Sequence, residues 1–177
     1  MICSMNNSER FCEVLMSYSG ALRSLADPGK NVSAMMNWMV FVPDDDAFQV
    51  IDETIGLTDN EVNRILVFYF YKNIMLSYDE LVCGETLTSQ SENDESRSKC
   101  DKNPGGNGND ETVVKYQNGN GNTKHGSLPK ITTNDIMACN GIIHAIDHVM
   151  FPVMLEELEQ QSYGNTTGKI EVKVFGW

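Results

Sequence analysis

His144 and His148 stand four residues apart, and Cys139 precedes His144 by five. Imidazoles can bind a metal or move protons near neutral pH, and a thiolate can act as a nucleophile. If 142–150 is one strand, both histidines face the same side. No third ligand of usual spacing accompanies them, so the favoured role for His144 is a partly buried, hydrogen-bonded ring. Cys139 lies in an apolar run, whereas a reactive thiol needs an electropositive, accessible setting. Asp44, Asp45 and Asp46 gather three carboxylates, as a hard cation requires, but without the further spaced ligands of a calcium loop. Capping of a helix N-terminus is the favoured role for them. There is no G-x-S-x-G, no phosphate-cradling glycine loop and no H-E-x-x-H. The chain is therefore expected not to be an enzyme, and to carry no cofactor and no metal.

The five cysteines include no C-x-x-C pair, which argues against a zinc site. Cys83 and Cys100 bracket a polar segment with little else to hold it, and a disulfide between them is expected. Cys12 and Cys139 sit in apolar surroundings and are either buried small hydrophobes or a second pair. Cys3 is expected to be unpaired. Asn6, Asn31 and Asn165 begin N-x-S/T triplets, which become glycosylation sites only in a secreted chain.

The elements that must position these residues have clear signals at both ends of the chain. Phe11, Leu15, Tyr18, Leu22 and Leu25 recur at helical spacing, with Asn6, Asn7 or Ser8 to cap the start and Asp27-Pro28-Gly29 to stop it. Trp38 to Val42 reads as a buried strand ended by Pro43. The three aspartates then open a helix carrying Ala47, Phe48 and Ile51. Thr58 and Glu61 form a capping box ahead of Val62, Ile65, Leu66 and Tyr69, and Ser77 with Glu80 repeats that spacing before a short helical turn. From 85 to 130 Ser, Asn, Gly, Lys and acids dominate. There only Leu87 and 112–116 suggest strands, and 103–109 and 117–122 read as turns and loops. The span 103–109 and 117–128 is expected to be the most mobile part of the chain. Asn140-Gly141 then turns the chain into the apolar strand from Ile142, broken by Pro152. Met154 to Gln161 reads as polar helix, 162–168 as linker and Ile170 to Val174 as a strand-like tail.

Residues 135–152, Asp-Ile-Met-Ala-Cys-Asn-Gly-Ile-Ile-His-Ala-Ile-Asp and onward to Pro152, closely resemble the second signature of the fasciclin-like (FAS1) domain, D-I-x-A-x-N-G-V-I-H-V-I-D-x-V-L-x-P. Residues 40–48, Val-Phe-Val-Pro-Asp-Asp-Asp-Ala-Phe, resemble the first, V-F-A-P-T-D-x-A-F. Between them, 65–71 stands where the family has I-L-x-Y-H-V-V, with Phe68 in place of the tyrosine and Tyr69 in place of the histidine. Any pH response tied to that family histidine is therefore not expected here.

The resemblance implies an α+β fold, a single FAS1 domain over 1–161 with helices packed on a twisted β-wedge. An elaborated polar hairpin at about 85–130 and a separate tail at 162–177 complete the expected organisation. It carries structural roles onto Phe41, Pro43, Asp45, Ala47, Phe48, Tyr69, Asn140, Gly141, His144, Asp147 and Pro152. Asn134, Asp135, Ile136 and Met137 resemble the Asp-Ile motif through which some animal members are reported to bind integrins. A structural role, with Asp135 capping a turn and Ile136 in the core, is the favoured alternative.

The resemblance also implies a non-catalytic adhesion or matrix-interaction module, extracellular or on the cell surface, whose partner is a protein or polysaccharide. A polysaccharide or small ligand held in a cleft beside the hairpin is the other reading. A formal net charge of −12 argues against nucleic acid and against docking on anionic lipid. No run approaches the roughly 20 apolar residues of a membrane span. MICSMNNSER lacks the apolar stretch of a signal peptide, so the chain is either cytosolic or read here without its targeting segment. The sequence does not fix the oligomeric state.

Overall fold

The structure, a computed structural model, describes residue 5 and residues 7–18, 37–47, 58–91, 94–102, 113–123, 128–138 and 140–153. Cys3, Asn6, Asn31, Phe48, 103–109, Cys139, 154–161, Asn165 and the tail lie outside the described residues.

Helix α1 runs Glu9–Tyr18 and buries Phe11 and Leu15, as the four-residue spacing requires. Strand β1, Trp38–Pro43, is buried along its whole length. That matches its central place in a four-stranded sheet, where both faces are covered. Helix α2, Asp59–Phe68, starts at the expected box: Glu61 accepts both the backbone N–H and the hydroxyl of Thr58, each at 2.6 Å. Its inner face buries Ile65, Leu66 and Phe68. Strand β2, Phe70–Lys72, follows at once and pairs antiparallel with β1.

On the other side β1 lies parallel to β7, Gly141–Ile146, and β7 pairs antiparallel with β6, Ile131–Ala138. The order is β2-β1-β7-β6. Phe41, Leu66, Ile143 and Ile146 belong to one core with Phe11, Met39, Tyr69 and Met150.

A second sheet joins β3, Thr86–Thr88, β4, Glu95–Lys102, and β5, Val113–Gly119, all antiparallel. Here two expectations are corrected. The polar run 95–102 is a full strand, although its composition gives no apolar alternation. Residues 117–122 are not loose turns. Gln117 to Gly119 complete β5, and a 3₁₀ turn follows at Asn120–Thr123. Gln117, Asn118 and Asn122 are buried; the amides of Gln117 and Asn122 are satisfied inside the protein rather than by water, whereas Asn118 donates to the Gly119 carbonyl and leaves its Oδ1 without a partner among the described residues. Gln117 bridges Ser96 and Ser98, and Tyr71 donates its hydroxyl to Ser96 at 2.6 Å. Asn122 accepts the N–H groups of Gly119 and Phe151 and donates to the Val149 carbonyl. Ser77 and Glu80 form the expected box, and the Ser77 carbonyl accepts the Glu80 and Leu81 N–H groups, closing a single helical turn.

Cys83 and Cys100 form a disulfide with Cα atoms 5.5 Å apart, fastening the chain before β3 to β4. Cys12 is disulfide-bonded as well.

Candidate functional site

Residues 134–137 lie at the edge of the four-stranded sheet. β6 is an edge strand there, and its register against β7 shifts twice, between Ile131 and Thr133 and between Thr133 and Ile136. Such irregularities bend a strand and re-aim its side chains. Asp135 sits in the second shift with φ of 56°, the left-handed region that Asp tolerates better than most residues. Its carboxylate Oδ1 accepts the Tyr78 amide N–H at 2.7 Å, so Asp135 caps the 77–80 turn of another segment. Ile136 is half-buried against the core, Asn134 is exposed, and Met137 is 63% exposed.

His144 lies directly behind this bulge and is fully buried. Its Nε2 is 2.9 Å from the Leu76 carbonyl and its Nδ1 receives the Asp135 N–H at 3.4 Å. A ring with an acceptor on one side and a donor on the other is neutral, with the proton on Nε2. It stacks on Phe41, centroids 5.4 Å apart. Burial pulls its pKa down, against the opposing effects of the Leu76 carbonyl and the Asp135 carboxylate. His148 does not share this face. The strand ends at Ile146, and His148 turns to solvent beside Asp147, Nδ1 to Oδ1 2.8 Å. The two histidines therefore do not form a pair for a metal. Among the described residues no cluster of His, Cys, Asp and Glu could hold one.

The aspartates divide their work. Asp44 accepts the Ala47 N–H at 2.8 Å and opens the helical residues 45–47, as expected. Asp45 instead accepts the Arg10 N–H at 2.9 Å and so caps α1, an element distant in sequence. Asp147 accepts the Lys130 N–H at 2.8 Å, and Asn140 offers its carbonyl to Trp38 N–H at 3.0 Å. Gly141 faces the Trp38 carbonyl so closely that a Cβ would stand 2.2 Å from it. Pro43 and Pro152 are buried, and Tyr69 lies in the core with its hydroxyl on Met150 N–H.

Tyr78 and Lys115 had no signal in the sequence. Tyr78 donates its hydroxyl to Val113 O and accepts Lys115 N–H, both at 3.0 Å. Lys115 Nζ, buried, reaches the carbonyls of Tyr78, Asp79 and Leu81 and lies 4.9 Å from the Tyr78 ring centroid. Segment 76–83 is thus a strap: Leu76 and Tyr78 hold the four-stranded sheet, while Tyr78, Lys115 and the Cys83 disulfide hold the other. Beside it an open cleft of about 610 Å³ is lined by Tyr78, Leu81, Val82, Cys83, Val113 and Lys115.

The Fasciclin domain family profile matches residues 15–152. No curated protein matches the chain. Among solved structures it is similar to the FAS1 domain pair of the insect cell adhesion molecule fasciclin I, at 20% identity and a TM-score of 0.61. That match covers 82% of this chain and 45% of that one, so the likeness shows the fold. With the family profile spanning most of its length and both signatures in the expected order, the chain belongs to the fasciclin (FAS1) domain family.

Proposed function

We propose that this domain is a non-catalytic adhesion or matrix-interaction module that works outside the cell or on its surface. The observation that carries the reading is the β6 edge. Asn134 and Met137 are exposed around a pinned, left-handed Asp135. An edge bulge fixed from behind presents its side chains at little ordering cost to a protein or polysaccharide. The Cys83–Cys100 disulfide supports an oxidising compartment. Family membership supports adhesion in general; the domain limits 1–161, a tail at 162–177 and glycosylation at Asn6, Asn31 and Asn165 are part of the same proposal.

The test is attachment of cells or matrix components to surfaces coated with the protein. Substitution of Asn134 and Met137 together by Ser is expected to lower attachment at least about tenfold without changing stability beyond about 0.5 kcal/mol. Undiminished attachment would remove 134–137 from the contact, and turnover of a substrate lost in His144→Ala would overturn the non-catalytic reading.

The cleft beside the hairpin gives the second reading its one supporting observation. Among the described residues its aromatic lining is Tyr78 alone, whose hydroxyl is already engaged. Sugar stacking favours several free aromatic faces, so the cleft is the weaker contact surface.

A further inference from the structure

The ring of His144 touches the two segments that meet at the β6 bulge and belongs to neither. Its Nε2 proton goes to Leu76 O, at the root of the 77–80 turn, and its Nδ1 lone pair takes the Asp135 N–H. Asp135 in turn clamps that turn through Tyr78 N–H. Nδ1 can accept this N–H only while it is unprotonated. A proton there would place two donors face to face beside an aspartate already held close by the same bulge.

The other charged and titratable groups on the packed elements do not compete. β1 carries none, and Asp135 is the only one on β6. On β2, Lys72 is exposed and the Tyr71 hydroxyl is on Ser96. On the turn, Asp79 and Glu80 are exposed and the Tyr78 hydroxyl is on Val113. Past β7, Asp147 and His148 engage each other.

We propose that His144 is a proton-operated latch on the Asp135 bulge: a proton taken up from solvent at Nδ1 draws the Asp135 carboxylate off the Tyr78 amide and onto the imidazolium, freeing the 77–80 turn from β6. Nε2 keeps its proton and its bond to Leu76, so no other proton moves. The exposed residues Asn134 and Met137 flank the part that moves. Any effect on binding rests on the adhesion reading above; the latch itself does not.

The test is nuclear magnetic resonance on the ¹⁵N-labelled full chain between about pH 7.5 and about pH 5. It follows the His144 ring together with amide exchange, corrected for intrinsic rates, at Tyr78 and Asp135. The Ser98 and Gln117 amides, bonded to Glu85 and Pro129 carbonyls in the other sheet, are the references. Protection at Tyr78 is expected to fall about tenfold or more as His144 protonates, with the references unchanged. Asp135→Asn keeps an oxygen for Tyr78 but has no charge to give the ring, so its Tyr78 protection is expected to stay flat. A flat Tyr78 profile in the unaltered chain while the ring titrates would overturn the latch. So would loss of all four amides together, or the same loss in Asp135→Asn. No partner enters this readout, so a failed attachment assay and a failed latch are separate results.

Discussion

The Tyr69 hydroxyl oxygen accepts the Met150 amide N–H at 2.9 Å, joining the end of α2 to the chain beyond β7. Both residues are fully buried, and the Tyr69 ring meets Phe11 edge to face at 5.4 Å. Burial pushes the Tyr69 pKa upward, the Met150 bond opposing it, so the phenol stays neutral throughout the ordinary pH range. Tyrosine thus supplies, without titrating, a bond at a position where the family pattern has histidine.

Tyr69→Phe keeps the ring and orphans the Met150 N–H in the core. The expected cost is about 1–3 kcal/mol, read as a lower urea midpoint at unchanged m-value. A loss under about 0.3 kcal/mol would mean that the amide finds another acceptor.

Gly119 and Gly121 pack against the chain leaving β7. A Cβ on Gly119 would stand 2.0 Å from Phe151 O, and one on Gly121 2.2 Å from Val153 O. Because the obstacle is backbone, neither clash is relieved by a rotamer change. Each Gly→Ala change is expected to cost about 1–3 kcal/mol. Thermal unfolding measures it, and Gly84→Ala, where no atom lies within 4 Å but φ is +88°, serves as the strained but uncrowded comparison.

These glycines mark where the sequence stopped being legible. Apolar patterning located α1, β1, α2 and β7: the helices bury one face, which shows as spacing, while β1 and β7 are buried on both faces and read as apolar runs. β4 and the end of β5 bury serine, glutamine and asparagine instead. Their desolvation is offset by partners such as Ser96 to Gln117, and no composition rule tells a paired buried amide from a solvated one. The site was legible in the same uneven way. Asp135, Ile136 and His144 stood out through the second signature, whereas Leu76 acts through its backbone carbonyl, which side-chain identity does not encode.

Replacing both Cys83 and Cys100 with Ser removes a link between residues 17 apart in sequence. The chain-entropy account gives a loss of about 3 kcal/mol. The strap should stay in place, since Lys115 still binds the carbonyls of Tyr78, Asp79 and Leu81. The expected result is a lower denaturant midpoint with the native amide spectrum of 76–81 retained. A spectrum showing that segment released would mean that the disulfide, not Lys115, holds it.

Stability itself should depend on the protonation of His144. Burial lowers the folded-state pKa, so between that value and about 6.5 the unfolded chain binds more protons than the folded one. Stability is then greatest above about pH 6.5 and falls as the pH is lowered through this window. Carboxylates contribute their losses further down: Glu80, whose pKa is lowered by the Ser77 N–H and hydroxyl, responds below about 4.5. Urea midpoints measured from about pH 7.5 to about pH 5 should therefore decline, and His144→Gln, which keeps a donor and an acceptor but does not titrate, should flatten that decline. An unchanged slope in His144→Gln would assign the loss to another group and remove His144 as its source.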